Sequence, residues 1–260
     1  MTQDGGVFEM HAVPVGVLPV PGWEVFFGRN DTSMHELMFY VWLLADGKHK
    51  GLVDLGMPTR ADDRAALVRA CQAVDPRCVL RDVRSLPDLL TELRISPQAI
   101  DFACITQAVT YHTGGLLTEL LPNAHVYLAR AGVQEMLMDP SGHPPVDMFF
   151  TTDGWESIRT LAIEQRLHLV EFPVEVVSGV AFEPTGGHHP GSAALKITTT
   201  EGVVGILETA FLQGNVEESL PVGISENAAQ CRAVIKRYRA ECDEVLAIHD
   251  PQHVVRFGRL

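Results

Sequence analysis

Apolar residues occur in short blocks that are separated by turn-forming residues along the first part of the chain. Residues 7–20 and 36–45 are rich in Val, Leu, Phe and Tyr, and Gly, Asn and Asp lie between them, which predicts two strands. A third strand is expected at 50–56. Apolar residues at helical spacing, among them Leu67 and Val74, then predict a helix over about 60–74.

The middle of the chain alternates between the strand and helix patterns. Strands are expected at 100–105 and 124–128, and helices at 85–93, at 116–121 and from residue 132 onward. Residues 139–153 contain several prolines and two adjacent phenylalanines, which is more typical of a covering loop than of a core element.

The second half contains short apolar strands. They are predicted at 167–172, 174–177, 193–199, 203–207 and 245–248, with a long helix over 226–241. Thr200-Glu201-Gly202 is a hairpin signal between the third and fourth of these strands. Strands in two blocks, each accompanied by helices, favour an α/β fold of two packed sheets with helices outside, in one domain over 1–260.

Composition and charge narrow the classes of partner. The chain has 260 residues, 46% of them hydrophobic, with 20 Lys and Arg against 33 Asp and Glu and a formal net charge of −13. This charge repels nucleic acid and anionic membranes, so neither is expected as a partner, and it leaves a small-molecule substrate open. The N-terminus does not resemble a secretory signal, and the longest apolar run is too short to span a membrane, which predicts a cytoplasmic protein. Five cysteines without a CxxC pair predict reduced thiols.

Candidate chemistry is concentrated in four loops that each follow a predicted strand. Three of these loops contain histidine, and the fourth contains a glutamate directly after a run of apolar residues. The loops are Thr106-Gln107-Ala108-Val109-Thr110-Tyr111-His112-Thr113-Gly114-Gly115, Gly186-Gly187-His188-His189-Pro190-Gly191-Ser192, Ile206-Leu207-Glu208-Thr209-Ala210 and Ala247-Ile248-His249-Asp250.

These loops resemble the metal-binding loops of the metallo-β-lactamase superfamily, in its lactonase-like (N-acyl homoserine lactonase-type) branch. That family has Thr-His-X-His-X-Asp-His-X-Gly-Gly, Gly-His-Thr-Pro-Gly-Ser, Gly-Asp-Ala and a strand-ending His in the same order. Val53-Asp54-Leu55-Gly56 is similar to the Val-Asp-Thr-Gly segment that precedes the first loop. The resemblance implies an αββα sandwich, and we expect Asp54 to orient the first loop through hydrogen bonds.

The resemblance also implies that half of the metal motif is replaced. The first metal's ligands in the family correspond here to Gln107, Val109 and His188. A valine cannot bind a cation, and a neutral amide is a poor zinc ligand. We therefore expect the first metal site to be empty.

The second metal's ligands in the family correspond to Tyr111, His112 and His249, with Glu208 at the position of the bridging aspartate. Two imidazoles and one carboxylate can hold one zinc or one ferrous ion, and His188 is a candidate third imidazole. The catalytic candidates are Tyr111, His188 and Glu208. Phe211 stands where lactonase-like relatives have a tyrosine that assists the leaving group, so Tyr111 is the substitute phenol.

Other interpretations remain open at this stage. The three motif histidines can form one metal site, a metal-free functional pocket or a structural remnant. His189 is expected to face solvent. The aromatic residues Met148-Phe149-Phe150 and Trp155 suit either a substrate pocket or helix packing.

The resemblance implies a hydrolase of a small ester, lactone or thioester that uses at most one divalent metal, zinc or iron. One alternative is a mononuclear iron enzyme of redox type on the same fold. A second is a metal-free enzyme or small-molecule binder. The sequence does not identify the substrate or the oligomeric state.

Overall fold

The structure is a computed structural model that describes residues 6–138 and 149–258. Its strands are β1 (Glu9–Pro21), β2 (Met34–Ala45), β3 (Lys50–Val53), β4 (Phe102–Ile105), β5 (His125–Ala129), β6 (Leu167–Val170), β7 (Val174–Val177), β8 (Val180–Pro184), β9 (Ala193–Thr199), β10 (Gly202–Leu207) and β11 (Glu244–Ala247). Its α-helices are α1 (Gly22–Val25), α2 (Ala61–Val74), α3 (Leu86–Glu92), α4 (Thr110–Thr113), α5 (Arg130–Met138), α6 (Thr152–Ile163), α7 (Gln213–Glu218), α8 (Ala228–Glu241) and α9 (His253–Phe257).

The strands form two sheets, one from each half of the chain. The first sheet has the order β1-β2-β3-β4-β5-β6, antiparallel at β1, β2 and β3 and parallel from β3 to β6. The second has the order β11-β10-β9-β8-β7 and is antiparallel except for the β10–β11 pair. Because the parallel strands β3, β4 and β5 end at one edge, the loops that follow them meet there.

One large hydrophobic cluster contains residues of both sheets. Val41 of β2 and Cys104 of β4 are fully buried in it, as are Leu195 of β9 and Ile206 of β10. Burial of apolar surface between two sheets is the main favourable term in such a fold. Together with the helices, this arrangement confirms the predicted αββα sandwich.

Most predicted elements occur close to their predicted bounds. The helix predicted over 60–74 is α2, and the hairpin at Thr200-Glu201 joins β9 to β10, with Thr199 paired to Gly202. The helix predicted over 226–241 begins two residues later, because the Asn227 side chain accepts a hydrogen bond from the Gln230 amide and caps it.

One prediction for the middle of the chain was wrong. Only a single 3₁₀ turn, Thr118–Leu120, forms where a helix was expected over 116–121. Pro122 follows at once, and a residue before proline avoids the helical conformation. The covering loop stays a prediction: at its described end, Phe149 and Phe150 are buried and α6 begins at Thr152. The rest of that predicted loop, 139–148, lies outside the described residues.

Two further findings concern the whole described chain. Within residues 6–138 and 149–258, no helix has the length and apolar character needed to cross a membrane. All five cysteines are free thiols, as predicted.

Candidate metal centre

The predicted site residues lie on loops at the ends of the central strands. Asp54 follows β3, and His112 lies in the short helix α4 after β4. Glu208 follows β10 of the second sheet, and His249 follows β11. The Met38 amide of β2 donates a hydrogen bond of 2.9 Å to the His249 carbonyl, which ties the end of the second sheet to the first.

Asp54 fixes the first loop and the His112 ring. Its carboxylate accepts hydrogen bonds from the Thr106 amide (2.8 Å) and from the Thr106 hydroxyl (2.8 and 3.0 Å). It also lies 2.8 Å from His112 Nδ1. Asp54 has a left-handed backbone conformation, φ 60°, which a short polar side chain tolerates better than most residues do. The orienting role predicted for Asp54 is confirmed by these hydrogen bonds.

The two histidines have one ring nitrogen each committed to a structural contact. His112 Nδ1 donates to Asp54, and His249 Nδ1 lies 3.3 Å from the Met38 carbonyl, to which it donates. Such partners fix the tautomer, so the Nε2 lone pairs remain for a ligand. The carboxylate–histidine contact at His112 is the arrangement commonly found behind metal ligands.

Glu208 lies between the two Nε2 atoms. Its Oε1 atom is 3.6 Å from His112 Nε2 and 4.0 Å from His249 Nε2. Both distances are too long for hydrogen bonds, and Glu208 Oε1 and His112 Nε2 are buried without a hydrogen-bond partner. Buried polar atoms rarely lack a hydrogen-bond partner in proteins, so we expect a further group to bind between Glu208 Oε1 and His112 Nε2.

A metal ion fits this arrangement. The ligand atoms of His112, Glu208 and His249 all lie within 4.8 Å of one another. Zinc bonds of about 2.0–2.1 Å in a tetrahedral site separate neighbouring ligand atoms by about 3.3 Å, close to the two distances above. Two imidazoles and one carboxylate suit zinc with an open coordination position, and they equally suit ferrous iron.

The electrostatics also favour a cation at this point. Burial opposes the charged form of His112, but the Asp54 and Glu208 carboxylates outweigh it and raise the pKa of that imidazole to about 10. Burial lowers the pKa of His249 well below its usual value and raises the pKa of Glu208. A divalent ion would neutralise the two buried carboxylates and replace the proton on His112 Nε2.

His188 does not join this group. Its Nδ1 lies 3.1 Å from the Ile224 carbonyl, and its Nε2 lies 3.3 Å from the Gln107 side-chain amide nitrogen. Since Nδ1 donates to the carbonyl, Nε2 accepts from Gln107 and its lone pair is occupied. Burial lowers the pKa of His188 to about 3, which makes it a weak proton acceptor. Val109 is a buried apolar residue whose backbone amide donates a hydrogen bond of 2.9 Å to the Gln107 carbonyl.

Aromatic rings surround the His249 side of the cluster. The Phe39 ring centroid is 4.5 Å from that of His249 and 4.9 Å from that of Tyr111. Burial and the Glu208 carboxylate raise the pKa of Tyr111 well above its usual value, so its phenol is neutral. Phe211, at the position of the family's tyrosine, packs on His188 and His249 with centroid separations of 5.0 and 5.4 Å.

The structure corrects the expectation for His189. The residue is buried rather than exposed to solvent. Its Nε2 lies 3.0 Å from Glu135 of α5, and its Nδ1 accepts a hydrogen bond from the Gly191 amide. Together with Glu226 these residues form a second group of ligand-type side chains. Glu135 is far from His189 in sequence, so no local pattern revealed the contact.

The aromatic residues near position 150 serve packing. Phe149 and Phe150 belong to the main hydrophobic cluster, and the Phe150 ring lies 6.1 Å from that of Trp155. The Phe149 carbonyl accepts a hydrogen bond of 2.7 Å from the Thr113 hydroxyl. These contacts favour helix packing over a substrate pocket, while Met148 lies outside the described residues.

The chain resembles solved structures of metal-dependent hydrolases. An N-acyl homoserine lactone hydrolase, solved with N-hexanoyl-L-homoserine bound at its catalytic metal centre, is 18% identical with a TM-score of 0.77, over 96% of each chain. A probable metal-dependent hydrolase from Staphylococcus aureus is 16% identical with a TM-score of 0.72, over 95% of this chain and 91% of that one. A hydrolase of the beta lactamase superfamily is 14% identical with a TM-score of 0.66, over 96% of this chain and 89% of that one.

The chain has the metallo-β-lactamase fold. The resemblance inferred from the four loops is therefore confirmed at the level of the fold. No protein-family model matches the sequence, and no curated protein matches it.

Proposed function

We propose that this metallo-β-lactamase-fold protein hydrolyses a small ester, lactone or thioester with one metal ion held by His112, Glu208 and His249. One observation carries the proposal. Glu208 Oε1 is buried without a hydrogen-bond partner and lies between the Nε2 atoms of His112 and His249. The metal-dependent hydrolases among the similar structures support the same class of reaction.

A divalent ion held by these three residues would supply Lewis-acid chemistry, polarising a carbonyl oxygen and lowering the pKa of water. The residues of the chain hold and orient the reacting groups. His112 and His249 offer fixed Nε2 lone pairs, because Asp54 and the Met38 carbonyl hold their Nδ1 atoms. Glu208 would supply the one anionic ligand, and the open coordination position would accept an oxyanion.

Tyr111 is the proposed hydrogen-bond donor to the substrate. Its phenol stays protonated at neutral pH, so it can donate to a developing oxyanion or to the leaving oxygen. Its ring is held by Phe39 and packs beside His112, with a centroid separation of 4.9 Å. His188 is less suited to moving a proton, because its Nε2 already accepts from Gln107.

The same donor set supports a second candidate function. Two histidines and one carboxylate also bind ferrous iron with open positions, as in mononuclear iron enzymes. The nature of the bound metal separates the two functions. Zinc at about one ion per chain supports the hydrolase, and iron supports the redox enzyme.

The proposal can be tested with protein produced without affinity histidines. The zinc-loaded and the iron-loaded forms are each incubated with aryl esters, N-acyl homoserine lactones, other γ-lactones and thioesters. Proton release is followed at constant pH, and oxygen consumption is followed in parallel. We expect the zinc form to hydrolyse at least one class, and chelation or His112→Ala to abolish that turnover.

The matched control is His125→Ala, which changes a histidine at an exposed position of β5 and should leave turnover unchanged. Turnover that survives complete chelation, or that is equal in wild type and His112→Ala, would contradict the single-metal hydrolase. Oxygen consumption by the iron form together with no hydrolysis by the zinc form would favour the redox function.

A further inference from the structure

A cavity of about 640 Å³ adjoins the candidate metal centre. It shares Phe39, Tyr111, Phe211 and His249 with that centre. Its other walls come from β1, α1, β2 and α2, from the segment after α2 and from the segment between α7 and α8, and apart from one carboxylate they are aliphatic or carry thiols. A cavity of this size and character can hold the apolar body of a small molecule.

Glu24 of α1 is the one carboxylate in the described lining of this cavity. Its Oε1 atom is buried and has no hydrogen-bond partner. Burial, followed by repulsion from Asp75, raises the pKa of Glu24 to about 7. A buried carboxyl without a hydrogen-bond partner is unfavourable unless a donor or a cation pairs with it.

The neighbouring charges do not neutralise Glu24. Asp75 is negatively charged, as Glu24 is when ionised. Arg77, the cation beside Asp75, is already paired with the Asp75 carboxylate at 2.7 Å. The backbone of Glu24 has a separate structural role, since its carbonyl accepts hydrogen bonds from the Gly223 (2.7 Å) and Ile224 (3.2 Å) amides. That role needs the carbonyl alone and does not account for a carboxyl in an apolar wall.

We propose that this cavity binds the apolar portion of a ligand and that Glu24 pairs with a protonated amine carried by that portion. The ligand class is an apolar molecule with one cationic amine. The net charge of −13 agrees with this choice, because an acidic protein attracts cations and repels anions.

If the proposed function holds, the inference defines its substrate as an ester, lactone or thioester whose apolar group carries the amine. That extension rests on the proposed function, whereas the pairing at Glu24 does not. Binding can therefore be tested with molecules that contain no hydrolysable bond, so that failure of one proposal is distinguishable from failure of the other.

The test measures binding of n-octylammonium, 1-octanol and octanoate to the full chain by calorimetry at pH 8. An alkyl amine, like the lysine side chain, is protonated at this pH, and Glu24 is largely ionised. We expect n-octylammonium to bind at least about tenfold more tightly than 1-octanol, and octanoate to bind most weakly.

Two variants at Glu24 isolate the charge. Glu24→Gln keeps the shape and should bring n-octylammonium down to the affinity of 1-octanol. Glu24→Leu should make 1-octanol the tightest of the three ligands. Glu175→Gln removes one negative charge from an exposed position of β7 and should leave the order of affinities as in wild type.

The alternative outcomes are equally definite. Absence of saturable binding of n-octylammonium to the wild type would overturn the proposal, as would tighter binding of octanoate. The same holds if the preference for the ammonium survives in Glu24→Gln, whose folding is verified by thermal melting. A weaker preference in Glu175→Gln, equal to that in Glu24→Gln, would show a general charge effect and would also overturn it.

Discussion

The two halves of the motif region differ in whether their side chains still offer a free lone pair to a metal ion. At the His112 half, both imidazoles have their Nδ1 atoms held, and Glu208 lies between their Nε2 atoms. At the His188 half, Gln107 donates to the remaining imidazole, and a buried valine, Val109, replaces a ligand.

The two halves show that a ligand site depends on its supporting contacts as much as on its ligands. His112 and His188 are both buried histidines with a fixed Nδ1. His112 Nε2 lies near the Glu208 carboxylate without a hydrogen bond to it, which leaves room for a cation, whereas His188 Nε2 accepts a hydrogen bond from the Gln107 amide. We therefore expect one metal ion per chain, on the His112 half.

The largest expected effect separates the two histidines directly. His112→Ala should abolish stoichiometric metal binding, because it leaves only one imidazole and one carboxylate in the group. His188→Ala should keep about one ion per chain, because His188 lies outside the group. Metal content after dialysis and elemental analysis measures both. Full retention of metal in His112→Ala, or equal loss of metal in both variants, would contradict the assignment of the metal to the His112 half.

A second experiment attempts to rebuild the altered half. The double change Gln107→His and Val109→His frees His188 from the amide and adds two imidazoles on the same loop. We expect metal content to rise from about one to about two ions per chain. Gln107→Leu with Val109→Leu is the matched control and should remain at one. If the double-histidine variant gains no ion, the loop backbone cannot hold a second metal.

A third change weakens the support behind a ligand and leaves the ligand in place. Asp54→Asn removes the negative charge that His112 Nδ1 contacts at 2.8 Å. Loss of such a partner typically lowers metal affinity by about 10–100-fold. Competition with a chromophoric chelator measures the affinity, and the exposed change Asp62→Asn should have no effect on it. An unchanged affinity in Asp54→Asn would mean that the aspartate only holds the loop.

The smallest expected effect concerns Tyr111, which replaces a metal-ligating aspartate of the family. Tyr111→Phe should leave metal content unchanged and lower turnover by at least about tenfold, since it removes a hydrogen-bond donor near the reacting carbonyl. Steady-state kinetics on whichever of the tested esters, lactones or thioesters proves to be a substrate measures turnover, and thermal melting verifies folding. Tyr40→Phe, which changes a phenol bound to the Asp250 carbonyl, serves as the control for loss of a hydroxyl. Unchanged turnover in Tyr111→Phe would remove the phenol from the mechanism, and loss of metal would make it a ligand.

Sequence reasoning worked where the signal is local or where chain order carries it. The helical spacing before Val74 and the Thr200-Glu201 turn each predicted an element at its observed place. The resemblance of the four loops to the family's metal-binding loops implied that His112, Glu208 and His249 meet, and their ligand atoms lie within 4.8 Å of one another.

The sequence did not reveal contacts between distant elements. Glu24 lies in no motif, and its surroundings come from β1, β2, α2 and later loops. His189 was expected in solvent because its partner Glu135 lies on another helix. The strand β8 (Val180–Pro184) was missed, since a short segment beside proline and glycine gives a weak periodic signal. The helix α6 was not predicted, although Ile158 and Leu161 lie three residues apart on its buried face. The amide of Gln107 on His188 likewise depends on the final packing.

The most direct test of the one-metal claim is a calorimetric titration of chelator-treated, untagged protein with Zn²⁺. The single-metal hypothesis predicts saturation at one ion per chain in the wild type and no stoichiometric binding in His112→Ala. Saturation at two ions, or a wild type that binds none, would contradict it.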